Sequence, residues 1–386
     1  MHYFNFNLSE YKLTKYSFIY FDLLFKNEIN TKESIIKDLK IVYSTYRKCK
    51  NKEQEAGVEI VNRLNKYFNI NNLDVNKIPY YENLLSRTIE KIYYREKTVY
   101  ELELKELEEC INENNILKTV FQLFKLYINM TDVTKSRSYI VELLKNDYQY
   151  VKERLCLLSS EILPIYYLAE IFYEPLEKLD INKLDIAADN HPYIKGLLYP
   201  LISTKYFTVE NYDKSLIYAL KAKKVLEREY NFNRLISITN NITNLYLHMK
   251  QYHLALDTIK NVVPVYYRFN QDEPSFINFK SVYYASLYFN DKIDEIIYSI
   301  NRCKKLHNVD YLFKAICSIK KGNYDDLKII KEECEKVIDT YKTDRDIISL
   351  IYNYYVKDEY KNKKYKEKIM EIKNVFKRNI LLDLVK

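Results

Sequence analysis

The stretch from Lys40 to Lys52 carries five basic residues (Lys40, Arg47, Lys48, Lys50 and Lys52) and no acid. Ser44 and Thr45 add two hydroxyls to it. Lys and Arg bind phosphate, while Arg, Ser and Thr also read base edges. A compact helix of this make-up therefore suits the major groove of duplex DNA. Ser44, Thr45, Arg47, Lys48 and Lys50 are the candidate DNA-binding residues. A second set stands in RLISITNNITN, where Arg234, Asn240, Asn241 and Asn244 crowd one predicted helix. An asparagine amide both donates and accepts, so it can hold both groups of a peptide backbone. Asn240 and Asn241 face different sides of that helix, so the four cannot act as one site.

No pattern points to an enzyme. The five histidines (His2, His191, His248, His253 and His307) show no HxxxH or HExxH spacing, and His248 and His253 are expected on the surface. The six cysteines (Cys49, Cys110, Cys156, Cys303, Cys317 and Cys334) form no Cys-x-x-Cys pair. They read as reduced, mostly buried thiols of a cytoplasmic protein. There is no Gly-rich phosphate loop and no nucleophile motif, so neither metal nor cofactor is expected. The apolar run 16–25 is broken by Asp22 and too short to span a bilayer, so no membrane partner is expected. The net charge of +8 is spread along the chain, which leaves only the local basic cluster informative. The charged tail 357–378 reads as a solvated helix face.

Helices must carry these residues. Three glycines and seven prolines are too few for the turns of an all-β or doubly wound fold, so the chain is predicted to be all-α. Thr31 is a suitable N-cap for a helix with Glu33 in its first turn and Ile35, Ile36 and Leu39 on its apolar face. A short basic helix follows over 44–50. A third helix buries Val58, Ile60, Val61, Leu64, Tyr67 and Phe68. A helix over 9–25 packs on them through Tyr16, Ile19, Tyr20, Leu23 and Leu24. Residues 69–79 lack a helical period and end in Pro79, which marks a joint. Beyond it, helices are predicted over 80–94, 97–112, 115–129, 134–154 and 157–173, the last kinked at Pro164, with a looser connection over 174–192.

The second half repeats. The run ENYDKSLIYALKAKKVL aligns with KQYHLALDTIKNVVPVY, matching Tyr212 to Tyr252, Ser215 to Ala255 and Leu216 to Leu256. Further second helices are predicted from Ile293 and Tyr324. Helix pairs near this spacing are tetratricopeptide-like, and stacking them gives a right-handed solenoid with a concave binding face.

The run TKESIIKDLKIVYSTYRKCK…EIVNRLNKYFNI resembles the helix-turn-helix of bacterial repressors, in the version found on peptide-pheromone receptors. The glycine usual in the turn is absent, and Lys40 stands near its place. A plain three-helix segment with a solvated basic face is the other reading of these residues. A helix-turn-helix followed by helical repeats is the layout of the Rap-Rgg-NprR-PlcR-PrgX family of peptide receptors. The chain resembles its arbitrium-receptor (AimR-type) branch in length, across YIKGLLYPLIS…TNLYLHMKQYHLAL, and in the ending KRNILLDLVK.

That resemblance implies a DNA-binding domain over 1–75, a peptide-binding solenoid over 76–378 and a dimerisation segment over 379–386. The implied function is a peptide-responsive transcription regulator of the phage lysis–lysogeny choice, in the host cytoplasm. Its implied partners are a short signalling peptide, a double-stranded DNA operator and a second copy of the chain. Asn244 matches a peptide-binding asparagine of the family, and Arg234 lies near a matching arginine. Asn241 is a further candidate, at a position where repeat helices often hold a structural asparagine. A basic residue on the peptide requires a late acid, for which Asp344 and Asp346 are candidates; they also read as first-turn carboxylates of a helix. Ile380, Leu381, Leu382, Leu384 and Val385 match the ending that pairs two protomers. The alternative is a Rap-like inhibitor that binds another protein through its N-terminal helices and does not touch DNA.

Overall fold

The computed structural model describes residues 4–12, 14–26, 28–51, 58–94, 100–131, 137–190, 192–268, 274–337, 342–357 and 362–384. Among the described residues the chain is helical, with no strand. It divides into two compact units, 1–205 and 206–386.

The first unit holds α1 (Thr14–Phe25), α2 (Lys32–Asp38), α3 (Tyr43–Lys50), α4 (Val58–Tyr67), α5 (Ile78–Tyr94) and α6 (Tyr100–Asn112). It continues through α7 (Lys118–Met130), α8 (Arg137–Leu143), α9 (Lys145–Lys152), α10 (Leu163–Tyr173) and α11 (Ile181–Asn190) into α12 (Pro192–Thr208), which runs across the division. Thr31 caps α2 as expected, its Oγ1 accepting from the Ser34 N–H at 3.3 Å. The helix ends with Lys40 at φ 55, in the left-handed region. There the Ile41 N–H donates to Ile36 O at 3.0 Å and the Lys40 N–H to Lys37 O at 2.9 Å. This is a Schellman closure with a lysine where glycine is usual.

The inner side of α1 differs from expectation. Phe18, Phe21 and Phe25 are buried along with Tyr16 and Tyr20, while Ile19, Leu23 and Leu24 are only half-buried. Aromatic packing decides it: the rings of Phe18 and Phe25 lie edge-on to Tyr46 at 5.0 and 6.0 Å. In α4 Leu64 is fully buried, but Tyr67 is exposed, its hydroxyl donating to Glu28 at 3.3 Å.

Proline accounts for two other differences. Pro79 is the second residue of α5 and Pro164 the second of α10. A fixed φ and a missing N–H suit the first turn of a helix, so Pro164 starts α10 rather than kinking a longer one. The span expected over 134–154 is divided at Leu144 into α8 and α9. The connection 174–192 contains α11, and Asp180 Oδ1 accepts from the Lys183 N–H at its start. The joint at 69–79 lies inside the first unit. Phe4 packs edge-on to Tyr93 at 5.6 Å and Phe6 to Phe124 at 5.2 Å, and the Tyr11 hydroxyl donates to Leu157 O at 2.7 Å. The N-terminal strip is thereby built into the helices beyond the joint.

The second unit holds α13 (Tyr212–Arg228), α14 (Phe232–His248), α15 (Tyr252–Lys260), α16 (Val263–Arg268), α17 (Pro274–Tyr288) and α18 (Ile293–Asn301). It ends with α19 (Asn308–Lys320), α20 (Asp326–Glu335), α21 (Lys342–Tyr355), α22 (Asn362–Met370) and α23 (Val375–Asp383). Helices begin at Tyr212, Tyr252 and Ile293, as the repeat predicts, and the fourth begins at Asp326 instead of Tyr324. The turns share one device. Glu210, Tyr230, Lys250, Asp291 and Gly322 all take positive φ, between 52 and 76. After each, the next N–H reaches back to a carbonyl of the preceding helix, as from Asn231 to Leu226 at 3.0 Å and from Gln251 to Tyr246 at 2.8 Å.

The core of this unit is built from residues such as Leu256, Ile259, Phe276, Phe279, Phe313 and Ile351, and it takes in the chain's end. Ile380 and Leu381 are fully buried in it, and Leu382 and Leu384 pack partly buried against it. The apolar ending is therefore covered by its own unit and does not require a partner to leave water. Val385 lies outside the described residues, as do Lys52, His2 and His191.

Candidate functional site

In the first unit, α3 presents Ser44, Arg47, Lys48 and Lys50 to solvent, Thr45 is half-buried, and Tyr46 and Cys49 face inward. Arg63 of α4 braces the turn before it, donating from Nη1 to Leu39 O at 3.2 Å and Lys40 O at 3.4 Å. Lys50 differs from its neighbours: its ammonium is ion-paired with Asp22 of α1. Asp22 also accepts from the Tyr46 hydroxyl at 2.7 Å and pairs with Lys32. Burial alone would raise the Asp22 carboxyl, but the hydrogen bonds from Lys32, Lys50 and Tyr46 hold it below its usual range.

In the second unit, α14 starts where Asn231 Oδ1 accepts from the Arg234 N–H at 3.2 Å, which puts Arg234 half-buried in the first turn. Asn241 is exposed and Asn244 half-buried. Asn240 is only 4% exposed. Among the described residues no hydrogen-bond partner reaches the buried Asn240 Oδ1, Asn244 Oδ1 or His248 Nδ1. These atoms stand four residues apart and so follow one face of α14, a turn at a time. A buried polar atom without a partner costs about 1–3 kcal/mol, so these three are a cost that the fold bears along one face of α14.

His248 closes the row among rings. It lies edge-on to Phe207 at 4.9 Å, tilted to Tyr212 at 5.2 Å and edge-on to Phe376 of α23 at 6.5 Å. Burial pushes its imidazole pKa down, against the pull of the Glu210 carboxylate. His248 thus departs from the surface position expected of it, whereas His253 is exposed as expected. Asn240 and His248 are the members that sequence reasoning did not select. Their spacing from Asn244 was the available signal; their burial was not.

Asp344 and Asp346 lie elsewhere in the same unit, lining a cleft of about 760 Å³ between α17, α21, α22 and α23. Asp344 is buried in the first turn of α21, with Lys377 Nζ at 2.6 Å from its Oδ1, and Asp346 is exposed. The lining also includes Ser281, whose buried Oγ has no partner among the described residues. None of the cleft's lining residues is on α14, so the structure groups Asp344 with Asp346 but not with Arg234, Asn241 or Asn244.

A buried polar cluster ties α17 to α19. Lys280 and Asp310 are fully buried with Nζ 2.6 Å from Oδ2, His307 Nδ1 is 3.2 Å from the same ammonium, and the Tyr284 hydroxyl donates to Asp310 Oδ1 at 2.9 Å. It ties the two helices together and reads as scaffold. Among the described residues no group of three or more His, Cys, Asp or Glu could hold a metal, and no helix is long and apolar enough to cross a membrane. Compared with protein-family models, with curated proteins and with solved structures, the chain gave no match.

Proposed function

We propose that this chain is a peptide-responsive DNA-binding regulator of the arbitrium-receptor type, with α2, the Lys40 turn and α3 acting as its helix-turn-helix. The observation that carries the peptide half is the row of buried, unpartnered Asn240 Oδ1, Asn244 Oδ1 and His248 Nδ1 on α14. A peptide backbone offers N–H groups to such acceptors at a regular spacing. Arg234, in the first turn of the same helix, supplies a planar fork for a carboxylate. The cleft holding Asp344 and Asp346 is a second place for a charged end of the ligand. Supporting the DNA half are the exposed Ser44, Arg47 and Lys48 on a short helix braced by a packed neighbour. Regulation requires that the peptide bind one conformation better than another, and by linkage DNA then weakens or strengthens peptide binding equally. Two copies on two half-sites complete the reading, with the half-buried Leu382 of α23 and Leu384 just after it as apolar side chains open to a partner.

The test is a selection from a randomised short-peptide pool on the parent protein, followed by calorimetry of the selected peptide. Asn244→Ala should weaken binding by one to two decades, equivalent to about 1–3 kcal/mol, with helical content unchanged. Equal affinity for the parent, Asn240→Ala and Asn244→Ala would move the site off α14. A pool that yields no binder would remove the peptide half of the proposal.

A further inference from the structure

Five residues of α3 carry the chemistry that DNA asks for, but they do not share one face. Tyr46 and Cys49 are the buried side of α3, each about 1% exposed. Lys50 follows Tyr46 by four residues, so it stands one turn beyond it on the flank nearest α1. Ser44 and Lys48 lie on the far side, with Arg47 between. The flank is occupied. Asp22 of α1 reaches across to Lys50, to the Tyr46 hydroxyl and to Lys32 of α2 at once. Beneath it, Lys32 Nζ sits 4.3 Å from the centre of the Tyr46 ring and 5.6 Å from that of Phe25. The Asp22 side chain is 19% exposed and that of Lys50 45%, so it is the carboxylate's grip, not burial, that holds the lysine. One carboxylate thus joins three helices at a partly desolvated point, where charge pairs are stronger than in open water.

We infer that Asp22 is a positioning residue for α3, which fixes the helix through Tyr46 and Lys32 and withdraws the charge of Lys50 from the DNA-facing set. The outward set is then Ser44, Arg47 and Lys48. This rests on the DNA reading above, and it goes beyond it by separating residues that composition cannot separate. A lysine held by a carboxylate does not neutralise a phosphate, so it displaces none of the cations condensed on the DNA. A lysine or arginine that meets phosphate contributes about 0.9 to the slope of log affinity against log salt.

The experiment is fluorescence anisotropy of the full chain on a random-sequence DNA duplex across a salt series. Arg47→Gln and Lys48→Gln should each flatten the slope by about one. Lys50→Gln should leave slope and affinity within error of the parent. Asp22→Asn, which keeps an acceptor for Tyr46 and frees the lysines, should steepen the slope by about one to two. Circular dichroism melts of each variant show whether it is folded, and Lys50→Gln decides the matter should Asp22→Asn fail to fold. A Lys50→Gln slope as flat as that of Arg47→Gln overturns the inference while leaving the DNA reading intact. A parent protein that binds no duplex even at low salt overturns the DNA reading, and the inference with it.

Discussion

Replacing Asn240 by leucine should stabilise the second unit, the opposite of what a substitution at a buried position ordinarily does. Asn240 is 4% exposed and sits between buried Thr239 and exposed Asn241 on a helix whose apolar side is Ile238, Ile242 and Leu245. Its Oδ1 has lost water and gained no partner. Such an acceptor costs about 1–3 kcal/mol. Leucine has the same number and branching of side-chain heavy atoms as asparagine and no polar atom, so the penalty disappears, although its two methyls are bulkier than the amide. The misfit of a branched side chain in a packed site takes back about 1 kcal/mol. The net expectation is a gain of about 1 kcal/mol, or a rise of about 2–4 °C in the melting midpoint of a unit of this size. The assay is calorimetric melting of parent and variant, followed through the transition of the second unit because two units need not melt together. On the proposed peptide reading, the same variant should also lose response to the selected peptide, because it removes one of the acceptors assigned to it. Ile242→Ala, fully buried beside it, supplies the ordinary scale of about 2–5 kcal/mol of loss. A fall for Asn240→Leu comparable to that of Ile242→Ala would refute the reasoning, because it would show that the amide serves the fold.

Lys280→Met should cost about 3–5 kcal/mol, because it leaves Asp310 buried without its cation; urea midpoints would read the loss, and an unchanged midpoint would show that the pair is not buried in solution. Burial alone would raise the Asp310 carboxyl, but His307 and Lys280 hold it below its usual range, so its contribution is complete above pH about 4 and is lost as pH falls further through the folded value. Melting of the parent below pH 4 should follow that course, and in Lys280→Met acidification should instead recover part of the deficit. Ile380→Ala should destabilise the second unit by about 2–5 kcal/mol, since this side chain is part of its core; sedimentation showing a changed mass with an unchanged melt would return it to an interface role. Lys40→Gly should raise stability by about 0.5–1 kcal/mol by relieving a left-handed residue that has a Cβ, and a lower melting midpoint would show that the lysine side chain holds the turn.

Much of the fold was legible because helices announce themselves by period and caps. Thr31 and the repeat starts at Tyr212, Tyr252 and Ile293 were available from residue type and spacing, whereas the turn at Lys40 came only from the resemblance, which puts a glycine near its place. The misreadings have local causes. In sequence Pro164 reads as a kink because the apolar run continues upstream of it, but 155–157 form only a short 3-10 turn and the proline opens α10. The inner side of α1 went to Phe18, Phe21 and Phe25 because Phe18 and Phe25 pack against Tyr46 and Phe21 against Phe68, contacts between helices that α1 alone does not encode. The leucine-rich ending looked like a surface seeking a partner, yet an apolar helix can as well close the core of its own unit, and composition does not separate the two.

The site divides along the same line. Residue type singled out two helices, α3 for its hydroxyl and basic side chains and α14 for its amides. Choosing among the residues of each helix needed the inward direction. On α3 that direction, set by Tyr46 and Cys49, turns Lys50 toward Asp22. On α14 it buries Asn240 and exposes Asn241, which are adjacent in sequence and chemically identical. One of the pair has lost its water without replacement, while the other keeps it. The free energy available to a ligand lies with the first, because restoring a hydrogen bond to a dry acceptor gains what exchanging one already made with water does not. The asparagine to weigh beside Asn244 is therefore Asn240, and with His248 a turn further on it makes a row that a polar backbone could follow.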